Sequence, residues 1–277
     1  MEIVKNRNRD SYSFANINVL GRCNADCFFC LGKDIKLDLA YKSQLQHHYA
    51  VWKNFEKFLD KCNEFSIKKL YLTGQTTEGL QYKYIDPLIN YLQEDRGFEV
   101  GVRTNGYLAE QRINTIKKMK GEIGYSVHSL NPAVNKQIMG RSDIPNWSKI
   151  IPQSGPDVRV SVVINRFNRN YIYEIMRYIS TFHNVNYIQL RKVSTDTRYE
   201  FLKPDMNAFE SFYKDFASVF HIKDMFAGAE IYQYRGIDVV FWKTTETTSN
   251  SLNYFTDGTI SDEYFVVEGY LKYMEKG

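Results

Sequence analysis

No stretch of this sequence is apolar for the roughly 20 residues a membrane-spanning helix needs. Its first residues, Met1-Glu2-Ile3-Val4-Lys5-Asn6-Arg7, hold no apolar core, so no secretory signal is expected. Cysteine is scarce, with four in 277 residues, and three of the four are bunched. That pattern does not make a disulfide framework, and the expected location is a reducing cytoplasm where thiols stay free. A strong excess of one charge is also missing. The net charge is +4 and dispersed, so no nucleic-acid partner is expected, although small anionic ligands remain compatible. There is no internal repeat and no low-complexity tail. The chain does have an ample supply of core material: 43% hydrophobic and 15% aromatic residues over a length suited to one large domain, or to a barrel with a small appendage.

Hydrophobic periodicity divides most of the chain into alternating strands and helices. Strands are predicted at 14–20, 67–73, 98–103, 123–128, 158–165 and 187–191. A helix from about residue 46 carries Val51, Phe55, Phe58, Leu59 and Cys62 on one face. Later helices are built on Ile85, Leu88, Ile89 and Leu92, then on Ile113, Ile116 and Met119, then on Ile172, Ile175, Met176 and Ile179. A long aromatic helix presents Phe209, Phe212, Phe216 and Phe220. Six strand-then-helix units of about 30 residues each predict an α/β fold with a parallel sheet and right-handed crossovers. In such folds functional residues gather at the C-terminal ends of the strands. After the sixth unit the pattern changes. Residues 237–242 read as a strand, 244–251 as a loop, 252–260 as a hairpin turning at Asp257-Gly258, and 263–276 as a short helix. The expected division is 1–200 for the barrel and 201–277 for a β/α extension that caps its open side and adds to the substrate pocket.

The chemistry-bearing stretch is Gly21-Arg22-Cys23-Asn24-Ala25-Asp26-Cys27-Phe28-Phe29-Cys30, with the spacing C-x₃-C-x₂-C. It follows the first strand, where the barrel rule puts function. Three thiolates complete neither a structural zinc site nor a four-cysteine iron–sulfur site. They suit a [4Fe–4S] cluster with one iron left open. The fourth cysteine, Cys62, lies on the apolar stripe of a helix and reads as a small buried hydrophobe. A different class of protein is also conceivable: Cys23, Cys27 and Cys30 with His47 or His48 would make a Cys₃His zinc module, at a spacing unusual for zinc.

This spacing resembles the signature of the radical S-adenosylmethionine (radical SAM) superfamily. Phe29, the bulky residue before the last cysteine, matches the family as a shield for the cluster. The resemblance implies a partial (β/α)₆ TIM-like barrel whose open iron is chelated by SAM. One electron, from a flavodoxin or ferredoxin type donor, then releases a 5′-deoxyadenosyl radical. Thr73-Gly74-Gln75-Thr76-Thr77-Glu78 stands in the place of the family's Gly-Gly-Glu motif. One glycine is kept, Glu78 comes late, and Gln75 or Thr76 is expected to accept the SAM amino group's hydrogen bonds. The same run also suits a plain strand-to-helix turn with a Thr cap. Arg103-Thr104-Asn105-Gly106 resembles the family's Thr-Asn-Gly turn, and Asn-Gly by itself favours turning. Ser126, Asn165 and Arg191, at three strand ends, are implied SAM contacts, with Arg191 able to grip a carboxylate. His128 reads as structural. Lacking later cysteine clusters and extra domains, the chain is expected to act on a small molecule. The 21 tyrosines suit a sugar- or nucleoside-like substrate. The layout is similar to natural-product enzymes of nucleoside-antibiotic pathways such as tunicamycin biosynthesis. A peptide-modifying radical enzyme without auxiliary clusters is the alternative within the class.

Overall fold

A computed structural model describes residues 12–34, 42–195, 197–244 and 250–262. All six predicted strands are present: β1 (Phe14–Leu20), β2 (Lys69–Gln75), β3 (Glu99–Thr104), β4 (Ile123–Ser126), β5 (Val158–Val163) and β6 (Val185–Arg191). They lie side by side in chain order, each parallel to the next. The helices α1 (Phe55–Glu64), α2 (Ile85–Asn90), α3 (Ile113–Ile116), α4 (Pro132–Met139), α5 (Trp147–Gln153), α6 (Ile172–Ile179) and α7 (Tyr199–Ala217) fill the connections.

The rest of the chain adds β7 (Ile222–Phe226), β8 (Ala229–Tyr234), β9 (Ile237–Trp242), β10 (Ser251–Phe255) and β11 (Ile260–Ser261). The full order is β11-β10-β1-β2-β3-β4-β5-β6-β9-β8-β7. β9 runs parallel to β6, and β10 runs parallel to β1. The parallel part of the sheet therefore gains one strand at each end from the last quarter of the chain. The sheet stays open, as expected for a partial barrel.

Alternation along the strands sorts residues to two faces. Ile17, Val19, Leu70, Leu72, Val100, Val102, Val160, Val162, Ile188 and Leu190 join the helices in one apolar core. The opposite positions carry Asn16, Asn18, Arg159, Ser161, Gln189 and Asn253, all buried. Parallel strands covered on both faces are usually apolar throughout. A buried polar face on such a sheet costs free energy unless its groups find partners, which marks this face as the one with work to do.

Several expectations shift. The first helix starts at Phe55, not near residue 46. A separate short turn, Tyr49–Val51, comes first, capped by the His48 side chain. Asn54 then takes a left-handed φ of 58° before α1 begins. Val51 is consequently 71% exposed, whereas Phe55, Phe58, Leu59 and Cys62 are buried as the periodicity requires. β4 and β5 end two residues earlier than predicted, at Ser126 and Val163. The β7–β8 hairpin escapes a periodicity search because every residue of β7 is exposed and nothing alternates. The β10–β11 hairpin turns where expected, with Gly258 at φ 98°. The helix expected at 263–276 and most of the loop at 244–251 lie outside the described residues. Among the described residues no helix is long and apolar enough to cross a membrane.

Candidate active site

The cysteine loop leaves the C-terminal end of β1 and is fastened from three sides. The Leu20 amide donates to Thr256 Oγ1 at 3.0 Å. The Asp26 and Phe28 amides donate to the carbonyls of Met139 (2.9 Å) and Ile138 (3.1 Å). Those carbonyls end α4 and have no partner within their own helix, so the loop and the helix end satisfy each other. Arg141 Nη1 donates to the Asn24 carbonyl at 2.8 Å. Arg198 donates twice, from Nη1 to the Phe28 carbonyl at 2.8 Å and from Nη2 to the Cys30 carbonyl at 2.7 Å. Past Cys30 the chain packs on the β2 loop. A Cβ built on Gly32 would stand 2.8 Å from Thr76 Cγ2 and 3.2 Å from the Thr76 nitrogen, so glycine permits that approach.

Cys23, Cys27 and Cys30 are free and half-buried. Cys23 Sγ accepts from the Ala25 amide at 3.5 Å and from Asn105 Nδ2 at 3.7 Å. Cys27 Sγ lies 3.3 Å from Met139 Sδ. Burial pushes the Cys23 thiol up to about 11, with Glu78 and Cys30 adding to the rise. Burial also raises Cys27, which feels Cys30 and Cys23, and raises Cys30. The charges of Cys30 and Cys23 add to the rise at Cys27. In that setting they need a cationic centre to become thiolates.

Among the described residues no three His, Cys, Asp or Glu side chains are grouped so that they could hold a single metal ion. His47 Nδ1 pairs with Gln44 Oε1 at 2.9 Å, and His48 Nδ1 accepts from the Ala50 amide at 3.2 Å. The zinc-module alternative therefore finds no support. Three free cysteines on one loop, with the Ala25 amide and Asn105 Nδ2 directed at Cys23 Sγ, fit an iron–sulfur cluster.

The other expected site residues border the same edge of the sheet. Phe29 meets the ring of His128 edge-on at 5.1 Å and that of Phe28 at 5.3 Å, while Phe28 meets Phe167 at 5.4 Å. Together they form an aromatic wall between the cysteine loop and the ends of β4 and β5. Gly74 sits where the chain folds back, since a Cβ there would lie 2.2 Å from the Thr77 carbonyl. Thr76 takes φ 59°, and its hydroxyl donates to the Gly21 carbonyl at 2.9 Å. The Gln75 side chain lies outside the described residues. Glu78 is buried and accepts from the Leu80 amide at 3.1 Å and the Asn105 amide at 2.9 Å. Burial raises its carboxyl while the two amides and Thr104 pull it down. The acid that arrives late in the motif ties the β2 loop to the β3 loop.

Ser126 ends β4 beside Ser161. Asn165 is fully buried, and its amide closes its own turn. Nδ2 donates to the Val163 carbonyl at 3.0 Å, and Oδ1 accepts from the Phe167 amide at 3.0 Å. Arg191 ends β6, with Nη2 3.3 Å from Thr244 Oγ1. His128 Nδ1 accepts from the Val163 amide at 3.2 Å, which puts the ring proton on Nε2. Burial, with the Arg191 charge second, pushes this histidine down to about 3. It is a neutral structural histidine. A surface cavity of about 450 Å³ lies elsewhere, lined by Leu45, Gln46, Leu80, Gln81 and Arg112, and contains none of these groups.

Sequence reasoning missed Arg198, Asp34, Thr195, Arg141 and Met139. Arg198 falls in an aperiodic polar run, and nothing in its spacing signals contact with a loop 170 residues earlier. Asn105 was legible as a turn residue but not as a donor toward Cys23.

An open, mostly parallel sheet thus carries a loop with three free cysteines at its C-terminal edge. A protein-family model described as the Radical SAM superfamily matches residues 17–179, more than half of the chain. The chain belongs to the radical SAM superfamily. The family implies an iron–sulfur cluster and SAM. A GTP 3′,8-cyclase of Aquifex aeolicus (strain VF5) is 26% identical over 195 residues, covering 68% of this chain and 59% of that protein. In structure the chain is similar to Streptococcus suis SuiB bound to S-adenosylmethionine, with TM-score 0.62, 15% identity, and 92% of this chain and 61% of that one covered. It is also similar to coproporphyrinogen III oxidase (HemN) of Escherichia coli, with TM-score 0.54, 8% identity, and coverage of 88% and 64%. The chain thus spans less than two thirds of the length of each of these relatives.

Proposed function

We propose that this protein is a radical SAM enzyme acting on a small, polar, sugar- or nucleoside-like molecule in a natural-product pathway. The observation that carries it is three free, half-buried cysteines on one fastened loop after β1, beside strand-end polar groups. Cys23, Cys27 and Cys30 are assigned as ligands of three irons in a [4Fe–4S] cluster. When bound, cluster and SAM together supply a 5′-deoxyadenosyl radical, on receipt of an electron from a flavodoxin or ferredoxin type donor. The residues of the chain bind, orient and insulate. Phe28 and Phe29 keep water from the sulfurs. Gly74, Gln75 and Thr76 lend the β2 loop to the SAM amino group, with Gly74 and Thr76 shaping the backbone. Ser126 and Arg191 supply polar contacts, Arg191 to the carboxylate, while Asn165 holds the β5 turn in shape. Residues 201–277 cap the open side.

A polar substrate suits the polar face of the sheet. Asn16 Oδ1 and Trp242 Nε1 occupy positions on that face and are buried without a hydrogen-bond partner among the described residues. Such orphans cost about 1–3 kcal/mol each, a cost that a polar ligand would relieve. The relative named GTP 3′,8-cyclase supports a nucleotide- or nucleoside-like substrate.

The test is anaerobic reconstitution with iron and sulfide, followed by reduction in the presence of SAM. A brown protein that forms 5′-deoxyadenosine is expected. Deuterated sugars, nucleosides and peptides are then compared for label transfer into that product. A colourless, iron-free protein would sink the radical reading, and label arriving from a peptide would sink the small-molecule one.

A further inference from the structure

We propose that Arg198 is a positioning residue that fixes the Cys27–Cys30 segment in its binding shape, and that Asp34 and Thr195 hold Arg198 in place. The inference rests on the cysteine assignment above but concerns residues that assignment does not include.

The geometry is a closed ring of bonds. The Arg198 guanidinium spans the carbonyls of Phe28 and Cys30, on either side of Phe29, at 2.8 and 2.7 Å. Its Nε donates to the Asp34 carboxylate. The Asp34 side chain is fully buried, and its second oxygen accepts from Thr195 Oγ1 at 2.6 Å. Thr195 Oγ1 in turn accepts from the Arg198 amide at 3.0 Å.

Each link has a physical consequence. A buried carboxylate is tolerable when paired and hydrogen-bonded, so Asp34 requires Arg198 where it is. A guanidinium presents donors in a rigid plane, and one such group reaches two carbonyls and a carboxylate at once. An ammonium has no such fork. Carbonyls 28 and 30 therefore cannot separate unless one of them gives up its bond to a guanidinium that Asp34 holds in place. The side chain of Phe29 and the direction of Cys30 are set before any cluster arrives. Arg198 stands at the start of α7, so the junction between β6 and α7 controls the loop after the first strand.

Two rates test this. In the cluster-free chain, R198K and T195A are expected to speed amide hydrogen exchange at residues 27–30 about tenfold, with unchanged far-ultraviolet circular dichroism. After reconstitution, the same variants are expected to lose iron to a chelator about tenfold faster, in line with the roughly 10–100-fold effects of losing groups that hold metal ligands in place. R169K, which weakens a different arginine contact to α7, should leave both rates unchanged. Parent-like exchange and iron release in R198K and T195A would overturn the proposal. So would an equal effect of R169K, since that would mean general loosening of α7. If R198K fails to fold, T195A, which keeps both charges, decides by the same rates. If the parent takes up no iron, the cluster reading falls, and the exchange measurement still judges Arg198.

Discussion

The two edges of the sheet handle buried charge in opposite ways. At the N-terminal edge Arg159 pairs with Glu122 at 2.9 Å, the Tyr187 hydroxyl donates to Glu122 at 2.9 Å, and Arg159 Nη1 donates to Gln189 at 2.6 Å. These are side chains meeting side chains across β4, β5 and β6. At the C-terminal edge Arg198, Arg141 and Glu78 spend their bonds on loop backbone: carbonyls 24, 28 and 30, and amides 80 and 105. Charge at one edge binds the barrel together, and charge at the other dictates the path of loops. That is the division expected of barrels, where the C-terminal face works and the N-terminal face stabilises.

The largest effect should come from breaking the working edge at its sulfurs. C23A, C27A or C30A is expected to abolish cluster retention and 5′-deoxyadenosine formation, while the unfolding midpoint of the iron-free chain stays near the parent's. Iron analysis and denaturant melts read the two quantities separately. Retained iron in any of the three would break the assignment.

The matching break at the other edge is E122Q. Removing one charge from a buried pair typically costs about 3–5 kcal/mol, and both side chains are well buried, at 6% and 14% exposure. Chemical unfolding of the iron-free chain should show that loss. Iron bound per folded molecule should not change. A fall in iron content at unchanged stability would contradict the contrast between the edges.

His128 sharpens the comparison through pH. Unfolded, it takes its proton at the ordinary value of 6.5, whereas in the fold burial holds it down to about 3. Between those values the unfolded state binds the proton and the folded state does not. Its contribution is therefore complete above pH 6.5 and fades as pH falls, by up to about 1.4 kcal/mol per unit. From pH 6.5 to 5 that amounts to about 2 kcal/mol. H128N keeps an acceptor for the Val163 amide and cannot charge. Its stability curve should be flatter than the parent's over this range, and parallel curves would refute the buried neutral ring.

How much of this was legible in the sequence follows from the range of each interaction. The strands, the buried faces of α1 and α6 and the cysteine loop are local patterns, and alternation or spacing reveals them. The structural role of His128 was also legible, as a lone histidine ending an apolar strand. The parallel placement of β9 and β10 was not, because pairing with β6 and β1 is decided by shape across more than 40 and 230 residues, respectively. Arg198 was invisible for the same reason. Its partners are backbone carbonyls, which have no signature in a sequence, and its salt-bridge partner is 164 residues away.

The smallest expected effect separates the two arginines that hold the cysteine loop. Arg141 reaches one carbonyl, that of Asn24, from a side chain 36% exposed and shared with Asp143, itself 58% exposed. Ion pairs this open contribute about 0–1 kcal/mol. The ring of Tyr107 lies 4.3 Å from the Arg141 guanidinium and, although it loses that contact on truncation, stays anchored through its hydroxyl, which accepts from Asn135 Nδ2 at 2.8 Å. R141A should therefore speed iron release by less than about threefold, well under the change expected for R198K, and should leave exchange at residues 27–30 unaltered. The reason is mechanical: the Asn24 end of the loop is already secured by Asn105 Nδ2 on Asn24 Oδ1 at 2.7 Å and by the Asp26 amide on α4. At the Cys30 end one guanidinium takes both the Phe28 and the Cys30 carbonyls, the latter shared with the Lys33 amide at 3.0 Å. If R141A matched R198K in iron release, the loop would be a single cooperative unit, and the separate role assigned to Arg198 would dissolve into it.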